Sequence, residues 1–242
     1  MSLLKSEHEY YRGHRIAAAP GTHQAVVDAA KKFVPLNASI LDLGVYTGAL
    51  LRRFVDSGYE NVSGADIANH LTEANIPFTR CDFNKPFAAK FDRRRFDCIT
   101  VCEVIEHLDD PRRFLAECRN LLNDGGVIIV STPNIAFFEG RIKFLLKGEL
   151  FGFGAKNYRI QRHITPLSRE QFPLLFEECG FEELKFSTAA GFASPLRKIL
   201  TFPLWGPMRA MFGPNVLGES VVAVARRGEA SDRLSSEKLW AA

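Results

Sequence analysis

The chain has 242 residues, 46% of them hydrophobic and 24% charged, with a formal net charge of +3. That length holds one large domain, or a core domain with a modest insertion. The charge is too mild to point to nucleic acid, and five cysteines without a Cys-x-x-Cys pair exclude a disulfide framework and a cysteine zinc site.

Lys5, Glu7, His8, Glu9 and Arg12 come before any long apolar run, so no signal peptide is expected. A reducing cytosol is the natural compartment. Residues 1–20 read as polar and aromatic, ending in the Pro20-Gly21 breaker. Thr22 is placed to cap a helix carrying Val26, Val27, Ala30 and Phe33, which Pro35 ends. Ser39 to Gly44 reads as a buried strand, Gly48 to Gly58 as a helix and Asn61 to Asp66 as a second strand. Pro77 to Phe83 and Phe96 to Cys102 follow as strands, separated by a solvated Arg93-Arg94-Arg95 loop.

Asp110 caps the next helix, and Pro111 suits its first position, where no N–H is needed. Asn123-Asp-Gly-Gly126 reads as a break before a strand over Val127–Val130. Ser168 is placed to cap a helix carrying Phe172, Leu175 and Phe176, and strands are expected over Glu182–Ser187 and Ser220–Arg226. Strands alternating with helices predict a doubly wound α/β fold with helices on both faces of a parallel sheet. The expected domain is 1–228, with variable lid segments at 135–165 and 191–218 and a polar tail over 229–242.

A doubly wound sheet binds its ligand at the carboxyl ends of its strands. Asp42-Leu-Gly44-Val45-Tyr46-Thr47-Gly48 forms the first such end, and its glycines permit a sharp turn and close ligand approach. Asp66, with Ile67 beside it, is placed to accept the hydroxyls of a ribose. Asp82 suits an adenine amino group and Phe83 the base itself, while Cys102 closes the fourth strand. The Gly-x-Gly-x-x-Gly spacing of nicotinamide dehydrogenases is missing, because the two loop glycines are four apart.

These motifs, with Gly64-Ala-Asp66, Cys81-Asp-Phe83, Glu103-Val-Ile-Glu106-His107, Gly125-Gly126 and Ser131-Thr-Pro-Asn134, resemble the class I S-adenosylmethionine-dependent methyltransferases over residues 38–187. The resemblance is to the branch of ubiquinone-pathway O-methyltransferases and small-RNA 2′-O-methyltransferases. It implies a Rossmann-like sheet of seven strands, with the last one antiparallel. It also implies S-adenosylmethionine as cofactor: Gly44 and Gly48 under the methionine part, Asp66 on the ribose, Asp82 near the adenine and Cys102 near the methionine part. Tyr46 stands where the family has glycine, and Val45 where it often has a smaller residue. The alternative is therefore a binding module on the same fold that does not turn over.

Glu103, Glu106 and His107 would share one side if their stretch were a helical turn. With His163 they are candidates for a divalent metal that activates a hydroxyl. His107 or His163 as general base is the other reading. The aromatic and basic residues of 137–153 and 199–212 suit a substrate lid, a dimer contact or an amphipathic face at a membrane surface. The expected acceptor is a small-molecule, lipid-linked or glycan-related hydroxyl. RNA is disfavoured by the low net charge. The oligomeric state is left open.

Overall fold

A computed structural model describes residues 9–73, 75–192 and 195–228. The tail expected over 229–242 and the N-terminal Lys5, Glu7 and His8 lie outside them.

Strands of the main sheet are β1 (Ile40–Leu43), β2 (Val62–Asp66), β3 (Phe78–Arg80), β4 (Phe96–Cys102), β5 (Leu122–Pro133), β6 (Phe181–Ala189) and β7 (Ser220–Arg227). Helices are α1 (Thr22–Phe33), α2 (Ala49–Asp56), α3 (Pro111–Leu121), α4 (Phe138–Lys147), α5 (Ala155–Gln161), α6 (Gln171–Glu178), α7 (Pro195–Leu200) and α8 (Phe202–Phe212). The seven strands lie in the order β3-β2-β1-β4-β5-β7-β6. Parallel pairing joins the first five, and β7 runs antiparallel to both its neighbours.

Period-two alternation builds the two layers. Leu41, Leu43, Ile99, Val101, Ile128 and Val130 point to the core that also holds Phe114 of α3 and Phe172 of α6. Ile40, Cys98, Val127 and Ile129 point the other way, to Val26 and Val27 of α1 and Leu50 of α2. Fully burying each of these large aliphatic or aromatic side chains stabilises the fold by about 2 kcal/mol.

Local chemistry explains where elements begin. The Asp110 carboxylate accepts the Arg113 N–H at 3.0 Å, with Pro111 at the first position of α3, as expected. On the turn that leads into α6, Ser168 and Gln171 bond reciprocally in the manner of a capping box: the Gln171 N–H donates to Ser168 Oγ at 3.2 Å, and the Ser168 N–H to Gln171 Oε1 at 2.9 Å, while Glu170, directly before the helix, makes no side-chain cap. Thr22 does not cap α1. Gly21 holds that position at φ 84°, and the Thr22 hydroxyl instead reaches Ser220 Oγ on β7.

Two further departures have clear causes. Asn123-Asp-Gly-Gly126 does not break β5; the register shift between Phe96 and Cys98 on β4 absorbs it as an irregularity within one long strand. The N-terminal segment, read from sequence only as polar and aromatic, contains a hairpin pairing Tyr10–Tyr11 with His14–Arg15. Its turn residues, Arg12 and Gly13, both have positive φ, as a type I′ turn demands.

Candidate active site

The sheet order reverses between β1 and β4, so the crevice opens at the carboxyl ends of those two strands. Gly44 leaves β1 at φ 87°, and its N–H donates to Ala65 O at 2.9 Å. A Cβ on Gly44 would lie 2.2 Å from Val104 Cγ2. Gly44→Ala is therefore expected to cost about 2 kcal/mol, combining the left-handed backbone with the displaced Val104. Urea denaturation of the ligand-free protein checks it; an unchanged midpoint would show that Val104 is not held there.

Asp66 closes β2 and faces the same loop. Its carboxylate accepts the Tyr46 N–H at 2.9 Å and the Ile67 N–H from its own following residue. Tyr46 has φ 46°, which is why a glycine would suit that position. Its ring packs edge-on against His70, with centroids 6.0 Å apart. Val45 is buried, with its side chain where a Cβ on Gly64 would have to fit. Gly48, at φ 88°, leads into α2.

A narrow cleft beside this loop is lined by Asp42, Gly44 to Thr47 and Cys102, together with Arg15, Ala17 and His23. Those last three were not singled out by sequence. His23 carried a usable signal, because it lies three and four residues before Val26 and Val27 and so shares their inward face. The hairpin is tied down by Thr47: its hydroxyl donates to Arg15 O at 2.7 Å, and His14 Nδ1 lies 3.0 Å from Thr47 O.

Asp82 and Phe83 sit further along. Asp82 accepts the Asn84 N–H at 3.0 Å and pairs with Lys85 at 3.2 Å, and both interactions hold its carboxyl below the usual range. The buried Phe83 ring packs against Phe87 and Phe114, with centroids 5.2 and 5.6 Å away.

The second group of polar residues follows β4. Glu103 has φ 54° and only Ile105–His107 forms a 3-10 turn, so the stretch is not the single helical turn that would align three side chains. Glu103 instead accepts a hydrogen bond from Ser131 Oγ on β5 at 2.9 Å. Glu106, His107 and His163 do converge, with one ligand atom from each lying within 4.8 Å of the others. His163 is brought in because Glu106 O accepts the N–H groups of Ile164 and Thr165 at 2.9 and 3.0 Å. Thr165 Oγ1 adds a bond to Leu108 O at 2.6 Å.

The electrostatics follow from burial. Glu106 is fully buried; Thr132 donates to its Oε2 at 3.1 Å, while Oε1 has no hydrogen-bond partner among the described residues. Burial, with Glu103 nearby, pushes the Glu106 carboxyl well up. Burial also pushes Glu103 up and lowers both His107 and His163. Gly152 O lies 2.8 Å from His163 Nδ1, so that nitrogen carries the proton and Nε2 presents a lone pair.

Asp42, which accepts the Thr100 hydroxyl at 2.7 Å, is pushed up to about 7 by burial, and His23 is pushed down to about 4. A carboxyl raised in the folded state loses its contribution to stability as pH rises toward the folded value. His23 acts in the opposite sense, but only below the ordinary histidine value. The melting temperature of the ligand-free protein is therefore expected to fall between pH 6 and 8, and Asp42→Asn to flatten that fall. A midpoint that rises over this interval would contradict the burial of these carboxyls.

Comparison with known proteins supplies the family. The family described as a methyltransferase domain matches residues 11–185. A ubiquinone biosynthesis O-methyltransferase of Dinoroseobacter shibae is 29% identical over 164 residues, covering 59% of each chain. One from Glaesserella parasuis is 32% identical over 108 residues, 39% of this chain and 45% of its own. The matched region thus spans about half the length of these curated relatives. The fold is shared with an S-adenosylmethionine-dependent methyltransferase structure from Archaeoglobus fulgidus, at TM-score 0.57 and 17% identity, covering 85% of this chain and 95% of that one. Loop, sheet order and family match agree, and the chain belongs to the class I S-adenosylmethionine-dependent methyltransferases.

Proposed function

We propose that the protein transfers the methyl group of S-adenosylmethionine to a hydroxyl oxygen of a small-molecule or lipid-linked acceptor. The observation that carries this reading is the juxtaposition of a cofactor loop at the end of β1 with the Glu106–His107–His163 cluster just beyond β4. The names of the curated relatives favour oxygen as the acceptor atom.

In this reaction the acceptor oxygen attacks the methyl carbon in line with the carbon–sulfur bond. The carbon–oxygen bond forms as the carbon–sulfur bond breaks, S-adenosylhomocysteine leaves and the hydroxyl proton must go to a base. Uncharged His107 and His163, lowered by burial, supply lone pairs for that proton near neutral pH. Asp66 and the glycine turn orient the donor, and alignment supplies much of the rate because transfer from a sulfonium is already downhill.

The cluster also fits a divalent metal. A buried carboxylate oxygen of Glu106 without a hydrogen-bond partner among the described residues and the Nε2 lone pair of His163 make a mixed oxygen and nitrogen donor set, joined by His107. Such a set suits zinc, manganese, cobalt or iron better than magnesium. Glu106, His107 and His163 would hold the ion, and it would lower the pKa of a hydroxyl bound beside them.

The test is incubation with S-adenosylmethionine labelled in its methyl group and a panel of catechols, polyprenyl phenols and sugars. Label in an alkali-stable ether is expected. Label found only on nitrogen or carbon would replace the acceptor assignment, and absence of both binding and transfer would remove the reading.

A further inference from the structure

The segments 135–165 and 191–218 also build a surface that lies outside the Glu106–His107–His163 cluster. α4, α7 and α8 pack on one another, with Phe137, Phe138 and Trp205 buried between them. Their outer sides are bare. Leu145 is 83% exposed and Leu146 74% on α4, Ile199 71% and Leu200 70% on α7, and Met211 75% on α8. Scattered exposed leucines need no explanation, but this many on three mutually packed helices form a patch.

Charge follows the same segments. Helices α4, α7 and α8 carry six Lys and Arg (Arg141, Lys143, Lys147, Arg197, Lys198 and Arg209) against one acid, Glu139, although the whole chain is only +3. That acid is paired with Arg197, and Glu149, just beyond α4, with Lys143. The three helices therefore combine exposed apolar side chains with a net positive charge, while the remainder of the chain is net acidic.

Three occupants can be compared by chemistry. A second copy seated on the same face would bring two cationic surfaces together, which opposes association. Single-stranded nucleic acid calls for a platform of exposed aromatic rings; Phe144, Phe202 and Phe212 are about half-exposed, but Leu145, Leu146, Ile199 and Leu200 are more exposed and offer a base nothing to stack on. An anionic lipid surface satisfies both features: short amphipathic helices insert apolar side chains to headgroup depth while Lys and Arg meet the lipid phosphates. No helix among the described residues is long and apolar enough to cross a membrane, so the contact would be interfacial.

We propose that the face formed by α4, α7 and α8 seats this protein on an anionic lipid surface. α4 follows β5 at the end of the sheet where Thr132 meets Glu106, so the seat adjoins the candidate active site. The inference does not rest on the acceptor assignment, and its readout is independent of turnover.

The experiment is vesicle flotation of the full chain, with phosphatidylcholine alone and with phosphatidylcholine containing phosphatidylglycerol. The protein is expected to float with the anionic vesicles, less in high salt and little with the neutral ones. Leu145→Glu combined with Ile199→Glu is expected to abolish flotation while leaving the thermal melt and S-adenosylmethionine binding intact, because both side chains are already solvent-facing. Replacing Lys198 and Arg209 by Gln is expected to lower partitioning about fivefold per cation removed. The proposal is overturned if the parent fails to float with anionic vesicles or if the Leu145/Ile199 variant floats as well as the parent. It is also overturned if sedimentation shows that the two substitutions merely split a dimer without changing lipid binding.

Discussion

Asp66→Ala is expected to weaken S-adenosylmethionine binding about a hundredfold, by removing charge-assisted hydrogen bonds to the ribose worth about 3 kcal/mol together. The expectation follows from geometry at the end of β2. The carboxylate already faces the glycine loop, where it accepts the N–H groups of Tyr46 and Ile67. The substitution thus removes both the ribose acceptor and a restraint on the loop. Asp66→Asn retains one carbonyl acceptor and is expected to fall between the two. Isothermal titration calorimetry separates these cases, and a dissociation constant unaffected by the alanine would mean that the adenosyl group lies elsewhere.

Glu106→Gln gives the second large effect, and it has two sides. In the ligand-free protein burial pushes the Glu106 carboxyl well up, toward its neutral form, and glutamine is close to isosteric with it. The melting temperature without metal should hardly change. With zinc or cobalt at about one hundred times the dissociation constant, binding to the folded state alone adds about 2.7 kcal/mol. For a domain of this size that raises the melting temperature by about 5–10 °C. Glu106→Gln should abolish this rise, along with most turnover in metal-loaded protein. If the parent shows no metal-dependent shift, the cluster is acting through its imidazoles alone; His163→Gln should then remove the acid limb of the pH–activity profile more than it alters cofactor affinity.

Much of this arrangement was legible in the sequence because it depends on neighbours in the chain. Phe96–Cys102 is a strand in both readings, since alternating inward side chains leave little freedom of interpretation. Asp110 and Pro111 likewise specify their helix start through contacts spanning three residues. The glycine loop and Asp66 were also recoverable, although the left-handed backbone at Tyr46 was not, because a tyrosine gives no hint of positive φ.

What failed depended on long-range contacts or on turn chemistry overridden by the sheet. The Asn123–Gly126 segment has every mark of a loop and takes no ladder partner on either neighbour, yet pairing at Leu122 before it and from Val127 after it keeps it within the span of one strand. Glu103 was grouped with Glu106 by spacing; the reversal of φ at Glu103 sends its carboxylate to Ser131 instead. His163 was suspected, but its approach to Glu106 is set by backbone bonds from Ile164 and Thr165 that no local pattern encodes.

The excess of Lys and Arg on α4, α7 and α8 also makes that face a local positive pole on a chain whose other residues sum to a net negative charge. In flow past a sulfonated resin that pole turns toward the matrix. The protein should therefore be retained at and somewhat above its isoelectric point near 8.6, where its average charge alone would let it run through.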